Sequence, residues 1–361
     1  MAALFTTPRR NDTTAGTHVA EPDVRRRIGL AHGSWRRVTR RIVAGAVCAL
    51  TVSSLLMPSV SLAAEWVKVG GNKYNTAASD EAGTWSWDGA DDLKLNNYNG
   101  GEIQAAGKLN VNYSGNNIVT ADWIEGINVF HGTNENAELN IQGDEGGTLS
   151  VTSTEDAILS TGNINIDGAG SVNATSTGFD AIDAKGDLTI KGSGNVNATG
   201  DSDGIRAGGN ITIDNSGTVT AKAFEEKGIQ AIENLTVKGG GKVEASSIEK
   251  AAIWADGGIT ISDGSQVKAS SEKDAAVEAK GSLATTNASL NVNGVEYGVY
   301  AHKGITLDHA NVTVRASKGR YGGANALFTY QDDIVVKNGS TVDAFAEVEV
   351  SAAFSTRNDR P

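Results

Sequence analysis

Three aspartates recur at one place in a repeated phrase: Asp156 before Ala157-Ile158, Asp180 before Ala181-Ile182, and Asp203 before Gly204-Ile205. If the phrase repeats as structure, their carboxylates stack one repeat apart, at about 5 Å. Carboxylates that close repel one another unless a proton or a cation lies between them. A hard cation such as calcium takes about six to eight oxygens. Asp183, Asp201 and turn carbonyls would extend the donor set. The metal candidates are therefore Asp156, Asp180, Asp203, Asp183 and Asp201, with calcium the expected ion. The plainer alternative is three solvated aspartates, chosen because Asp favours turns.

A second set is aromatic. The residue after each first apolar anchor should point outward, and along the chain it reads Leu159, Asp183, Arg206, Gln230, Trp254, Glu278, Tyr300 and Phe328. Trp254, Tyr300 and Phe328 are carbohydrate-binding candidates, because flat apolar rings suit the C–H faces of sugars. Tyr297 and Tyr330 lie near the same edge. Aromatics are also good strand residues, which is the structural alternative. Arg206 beside Asp183 reads as an ion pair of small energetic weight.

Both sets depend on the repeat that would carry them. An apolar anchor recurs at Ile103, Ile127, Ile158, Ile182, Ile205, Ile229, Ile253, Val277, Val299 and Leu327. A second series runs Leu109, Leu139, Ile164, Leu188, Ile211, Leu235, Ile259, Leu283, Ile305 and Ile334. A third runs Ile118, Leu149, Val172, Val196, Val219, Val243, Val267, Leu290, Val312 and Val342. Around each anchor the alternation has a period of two, as in Ile211-Thr212-Ile213, which is strand periodicity. Three short strands per period of roughly 24 residues leave no room for a helix. The expected fold is all-β: a right-handed, three-sided parallel β-helix, or solenoid, of about ten coils. The position two residues after the first anchor is mostly Ala (Ala184, Ala207, Ala231, Ala255, Ala279, Ala301), which suits a narrow corner. Asn163, Asp187, Asn210 and Asn234 should form a turn stack, either as an amide ladder or because these residues tolerate left-handed turns.

Residues 65–101, with Trp66, Trp85 and Trp87, read as strands capping the N-terminal end of coils spanning 102–344. Residues 345–361 read as a C-terminal cap or tail. Residues 1–64 differ in kind. Nine arginines between Arg9 and Arg41 precede the apolar run Ile42–Met57 and the small-residue stretch ending at Ala64. That layout reads as a long n-region and a cleaved signal peptide, so the mature chain is expected to be secreted or on the cell surface. Cleavage removes Cys48, the single cysteine, and leaves 31 − 9 = 22 basic and 43 − 3 = 40 acidic residues, a net charge of −18. Such a surface disfavours nucleic acid and anionic membranes.

The phrases "DAIDAKGDLTI" and "DGIRAGGNITI", each followed by an "SGxV" step, resemble the repeats of a calcium-dependent carbohydrate-binding domain family. Its members are bacterial secreted or cell-surface right-handed parallel β-helix proteins. The resemblance implies calcium near acidic turns and binding of acidic polysaccharide without cleavage. The D-G-I step becomes Lys227-Gly228 and Ala251-Ala252 beyond Asp203, so the resemblance carries the calcium expectation only as far as the fifth coil. The expected function is non-catalytic binding of polysaccharide or host surface glycan. Two other classes fit the repeats: an adhesin or spacer that binds host protein, and a polysaccharide lyase. The lyase is disfavoured because His131, His302 and His309 have no partner at ligand spacing and most turns are short.

Overall fold

The computed structural model describes residues 63–133, 137–318 and 323–347, together with the backbone strand Ala352–Thr356. The expected signal peptide, apart from Ala63 and Ala64, and most of the expected C-terminal segment lie outside the described residues.

Period-two sequence becomes three parallel stacks of strands. Ile205–Ala207, Ile211–Asn215 and Thr218–Ala223 are the three sides of one coil. The next coil repeats them as Ile229–Ala231, Leu235–Lys238 and Lys242–Ser247. Ile205 pairs with Ile229, Ile211 with Leu235 and Val219 with Val243, all in parallel register. Triplets of this kind run from Ile103–Ala106 to Thr341–Ala346, about nine turns from the first to the last. Stacked coils make three sheets of 13, 13 and 11 strands. The fold is all-β, a parallel β-solenoid, with no helix among the described residues.

The first and second anchor series fall opposite one another throughout, from Ile103 to Leu327 and from Leu109 to Ile334. One position of the third series departs. Leu149 lies opposite Asn117, and Ile118 lies opposite Ser150 on the outer face. Asn117 is fully buried where an aliphatic anchor was expected. Its amide group donates to the carbonyls of Ser114 and Thr148, and its Oδ1 accepts from the Tyr98 N–H. A satisfied amide thus ties the first coil to the cap.

The lumen is largely aliphatic. Ile205, Ile211, Ile213, Val219 and Ala221 of one coil are all at most 1% exposed. Each large aliphatic buried this way contributes about 1.5–3 kcal/mol. The alanines two residues after the first anchor, such as Ala207 and Ala231, are fully buried at the narrow corner. The residue just before the first anchor is also small. A Cβ on Gly204 would meet the Gly228 carbonyl oxygen at 2.7 Å and the Lys222 nitrogen at 2.8 Å. Both are backbone atoms that cannot move aside. Ala157, Ala181, Ala252 and Ala276 fill the same corner in other coils.

Antiparallel strands close the N-terminal end. Trp66–Val69 pairs antiparallel with Asn72–Tyr74 and with Ile103–Ala106. Trp85–Trp87 pairs antiparallel with Asp92–Asn96, which lies parallel to Lys108–Ser114. Trp85, Trp87 and Tyr98 are buried there, so rings cover coil edges that would otherwise face water.

Candidate functional site

The three aspartates stack as their spacing requires, and each has a defined partner. The Asp180 N–H donates to Asp156 Oδ1 at 3.0 Å, and the Asp203 N–H donates to Asp180 Oδ1 at 2.8 Å. The Lys227 N–H donates to Asp203 Oδ1 at 2.7 Å and ends the run. The same rung appears at the corner before the second sheet. There the Asp187 N–H donates to Asn163 Oδ1, the Asn210 N–H to Asp187 Oδ1 and the Asn234 N–H to Asn210 Oδ1. Asn and Asp therefore serve equally as acceptors in this geometry, and one oxygen of each carboxylate holds coils together.

What distinguishes the Asp run is charge. Asp180 is 8% exposed and Asp203 3%. Burial pushes the carboxyl groups of Asp156 and Asp203 up to about 7, and Asp180, repelling each of them, adds to the rise. Burial likewise raises Asp180, with the charge of Asp183 adding to it. At neutral pH, burial away from water and mutual repulsion thus disfavour the fully ionised stack.

Asp156, Asp180 and Asp183 each bring a carboxylate oxygen within 4.8 Å of the others, so this group could hold a metal ion. Asp183, on the strand Ile182–Ala184, is 1% exposed. It pairs with Lys185, and Arg206 Nη1 lies 3.2 Å from its Oδ1. A cation would compete with both side chains. Asp203 sits outside the trio, with its Oδ2 3.9 Å from Arg206 Nε. Asp201 also lies outside it, contributing a backbone carbonyl that accepts from the Glu225 N–H. A second acidic group was not singled out from the sequence: Asp88, Asp91 and Asp92, just after Trp85–Trp87. The density of acids in "DGADD" was its signal, but Asp88 Oδ1 already accepts from the N–H groups of Ala90 and Asp92.

The aromatic candidates lie in one file on the first sheet. Trp254 stands opposite Glu278, Glu278 opposite Tyr300, and Tyr300 opposite Phe328. Tyr300 and Phe328 stack with ring centroids 5.4 Å apart and planes at 13°. Tyr297 closes the group, 5.3 Å from Tyr300 and 5.2 Å from Phe328. Tyr330 stacks on His302 at 4.9 Å. Trp254 lies apart from these rings, two strands away, with Lys280 Nζ 5.0 Å from its centroid. A groove of about 390 Å³ is lined by Tyr297, Tyr300, Phe328 and Tyr330 with Asp274, Ala275 and Glu278. Asp274 and Glu278 are lining residues that the sequence did not single out.

One file therefore runs from Asp183 through Arg206, Gln230, Trp254 and Glu278 to Tyr300 and Phe328. Asp183 and Tyr300 are five strands apart, or about 24 Å at the usual strand spacing. No family model matches the chain, and no curated protein or solved structure matches it. The solenoid stands on the chain's own strand register, and no family match accompanies the resemblance to carbohydrate-binding repeats.

Proposed function

We propose that the chain is a non-catalytic, extracellular polysaccharide-binding protein that lays its ligand along the outer face of the first sheet. The observation that carries this reading is the groove of Tyr297, Tyr300, Phe328 and Tyr330 on that face. Rings about 5 Å apart offer an apolar floor for sugar C–H faces, and carboxylates at the rim can accept from hydroxyls. A chain lying along the rod would reach from this groove toward the acidic group, where calcium is the proposed ion at Asp156, Asp180 and Asp183. Rigid stacking lends the face preorganisation, so little ordering cost falls on binding.

Affinity electrophoresis of the purified protein through gels containing neutral, acidic or amino polysaccharides tests the reading, with calcium or chelator in the buffer. Retardation by at least one polysaccharide, with no new reducing ends or unsaturated products after prolonged incubation, is expected. Unretarded migration in every gel would remove the glycan and leave the adhesin or spacer. Product formation would make the protein an enzyme.

A further inference from the structure

The aromatic groove has a chemistry more specific than stacking. Among its lining residues are two carboxylates, Asp274 and Glu278, and no basic side chain. Glu278 is the outward residue of Val277–Ala279, directly beside Tyr300 in register, and it accepts a hydrogen bond from the Trp254 side chain. Asp274 is fixed through Oδ1, which accepts from the Ala275 N–H at 2.8 Å. The nearest lysines in sequence are committed elsewhere, Lys273 to Glu249 and Lys280 to Asp256. Neither groove carboxylate forms a direct ion pair among the described residues, and Lys280 and Lys227, which attract Glu278 from beside Trp254, do not line the groove.

Ring faces carry negative potential and attract cations that shed water easily. A divalent ion is a poor fit, because it needs about six to eight oxygens and the lining offers two carboxylates beside neutral phenols. An acidic sugar is a poor fit too, since its carboxylate would meet Asp274 and Glu278 in a chain of net charge −12. An organic ammonium satisfies both halves of the lining: the charge faces the carboxylates and the adjoining C–H groups lie on the rings. We infer that the groove of Tyr297, Tyr300, Phe328, Asp274 and Glu278 binds a protonated amino sugar, the ammonium-bearing unit of the bound polysaccharide. This rests on the glycan-binding reading of the same face, and it narrows the ligand to a partly or fully de-N-acetylated glycan.

Titration calorimetry with three probes tests it: a glucosamine hexamer, the N-acetylglucosamine hexamer and choline chloride. The glucosamine hexamer should bind about tenfold more tightly than its N-acetylated counterpart, the range of a partly desolvated cation–ring contact. Glu278→Gln should reduce that advantage to about threefold or less. Phe328→Leu, which keeps an apolar residue on the strand, should weaken both. Equal binding of the two hexamers, with the protein otherwise glycan-binding, overturns the ammonium inference and leaves the glycan reading standing. Binding of choline without either hexamer supports the ammonium site and overturns the sugar as its carrier. Silence with all three probes, beside retardation by another polysaccharide, again overturns only the inference. Silence with the probes and in every gel overturns both.

Discussion

At the scale of single residues, the Asp stack combines two roles that pull in different directions. Oδ1 of Asp156, Asp180 and Asp203 is a rung between coils, a task that Asn163 and Asn210 perform without charge. The charge is what a cation would use. Asp180→Asn should keep the rung and remove the repulsion. In chelator its Tm should rise by about 2–4 °C, the response expected for ~1 kcal/mol of relief in a chain of this size. Calcium should raise the Tm of the parent protein and leave that of the variant unchanged. An equal calcium gain in both proteins would place the ion elsewhere. The pH dependence follows from the raised carboxyl groups. Asp156 and Asp203 titrate near 7 when folded, against about 3.9 in an unfolded chain. Their protonation therefore stabilises the fold fully below the unfolded value, and that contribution is lost as pH rises through about 7. In chelator Tm should fall between about pH 5 and about pH 8, and the increment given by calcium should grow over the same range. A flat profile in chelator would mean that the stack carries no buried charge. The stacking of these aspartates was legible from their spacing alone. Their rungs were not, because sequence spacing places a carboxylate without saying which backbone N–H it faces.

At the scale of the strand and corner, the repeat was legible almost residue by residue. Three anchors per period fell into parallel register because period-two patterning allows only one face of each short strand to be apolar. The exception at Asn117 is instructive: a buried amide was invisible to a search for aliphatic anchors, and only the cap contacts to Tyr98, Ser114 and Thr148 explain it. The small residue before each first anchor is the tightest constraint on the coil. Gly204→Val would push a branched side chain into the backbone of Lys222 and Gly228. A loss of ~2–4 kcal/mol in urea unfolding is expected; Gly204→Ala should lose less but is also destabilised, because its Cβ alone meets the same backbone atoms at 2.7 and 2.8 Å. Equal losses for the two substitutions would show that the corner tolerates bulk. The aromatic groove was half legible. Outward alternation picked out Tyr300 and Phe328, but Asp274 lies on a corner, where alternation gives no side.

At the scale of the whole molecule, a solenoid turns a linear repeat into linear surfaces. Each of its three sheets offers an outward file, and the files differ in chemistry. The second sheet presents Thr189, Thr212, Thr236 and Thr260 in register, while the first presents acids at one end and rings at the other. A ligand that uses the first sheet must therefore respond to substitutions on that face and ignore those on another. The most direct measurement compares polysaccharide affinity for the parent protein, Tyr300→Ala on the first sheet and Thr260→Ala on the second. Tyr300→Ala should lose about tenfold or more in affinity, in line with removal of one stacking ring. Thr260→Ala should bind as the parent does. Equal affinity of Tyr300→Ala and the parent, or a loss confined to Thr260→Ala, would contradict the placement of the ligand on the first sheet.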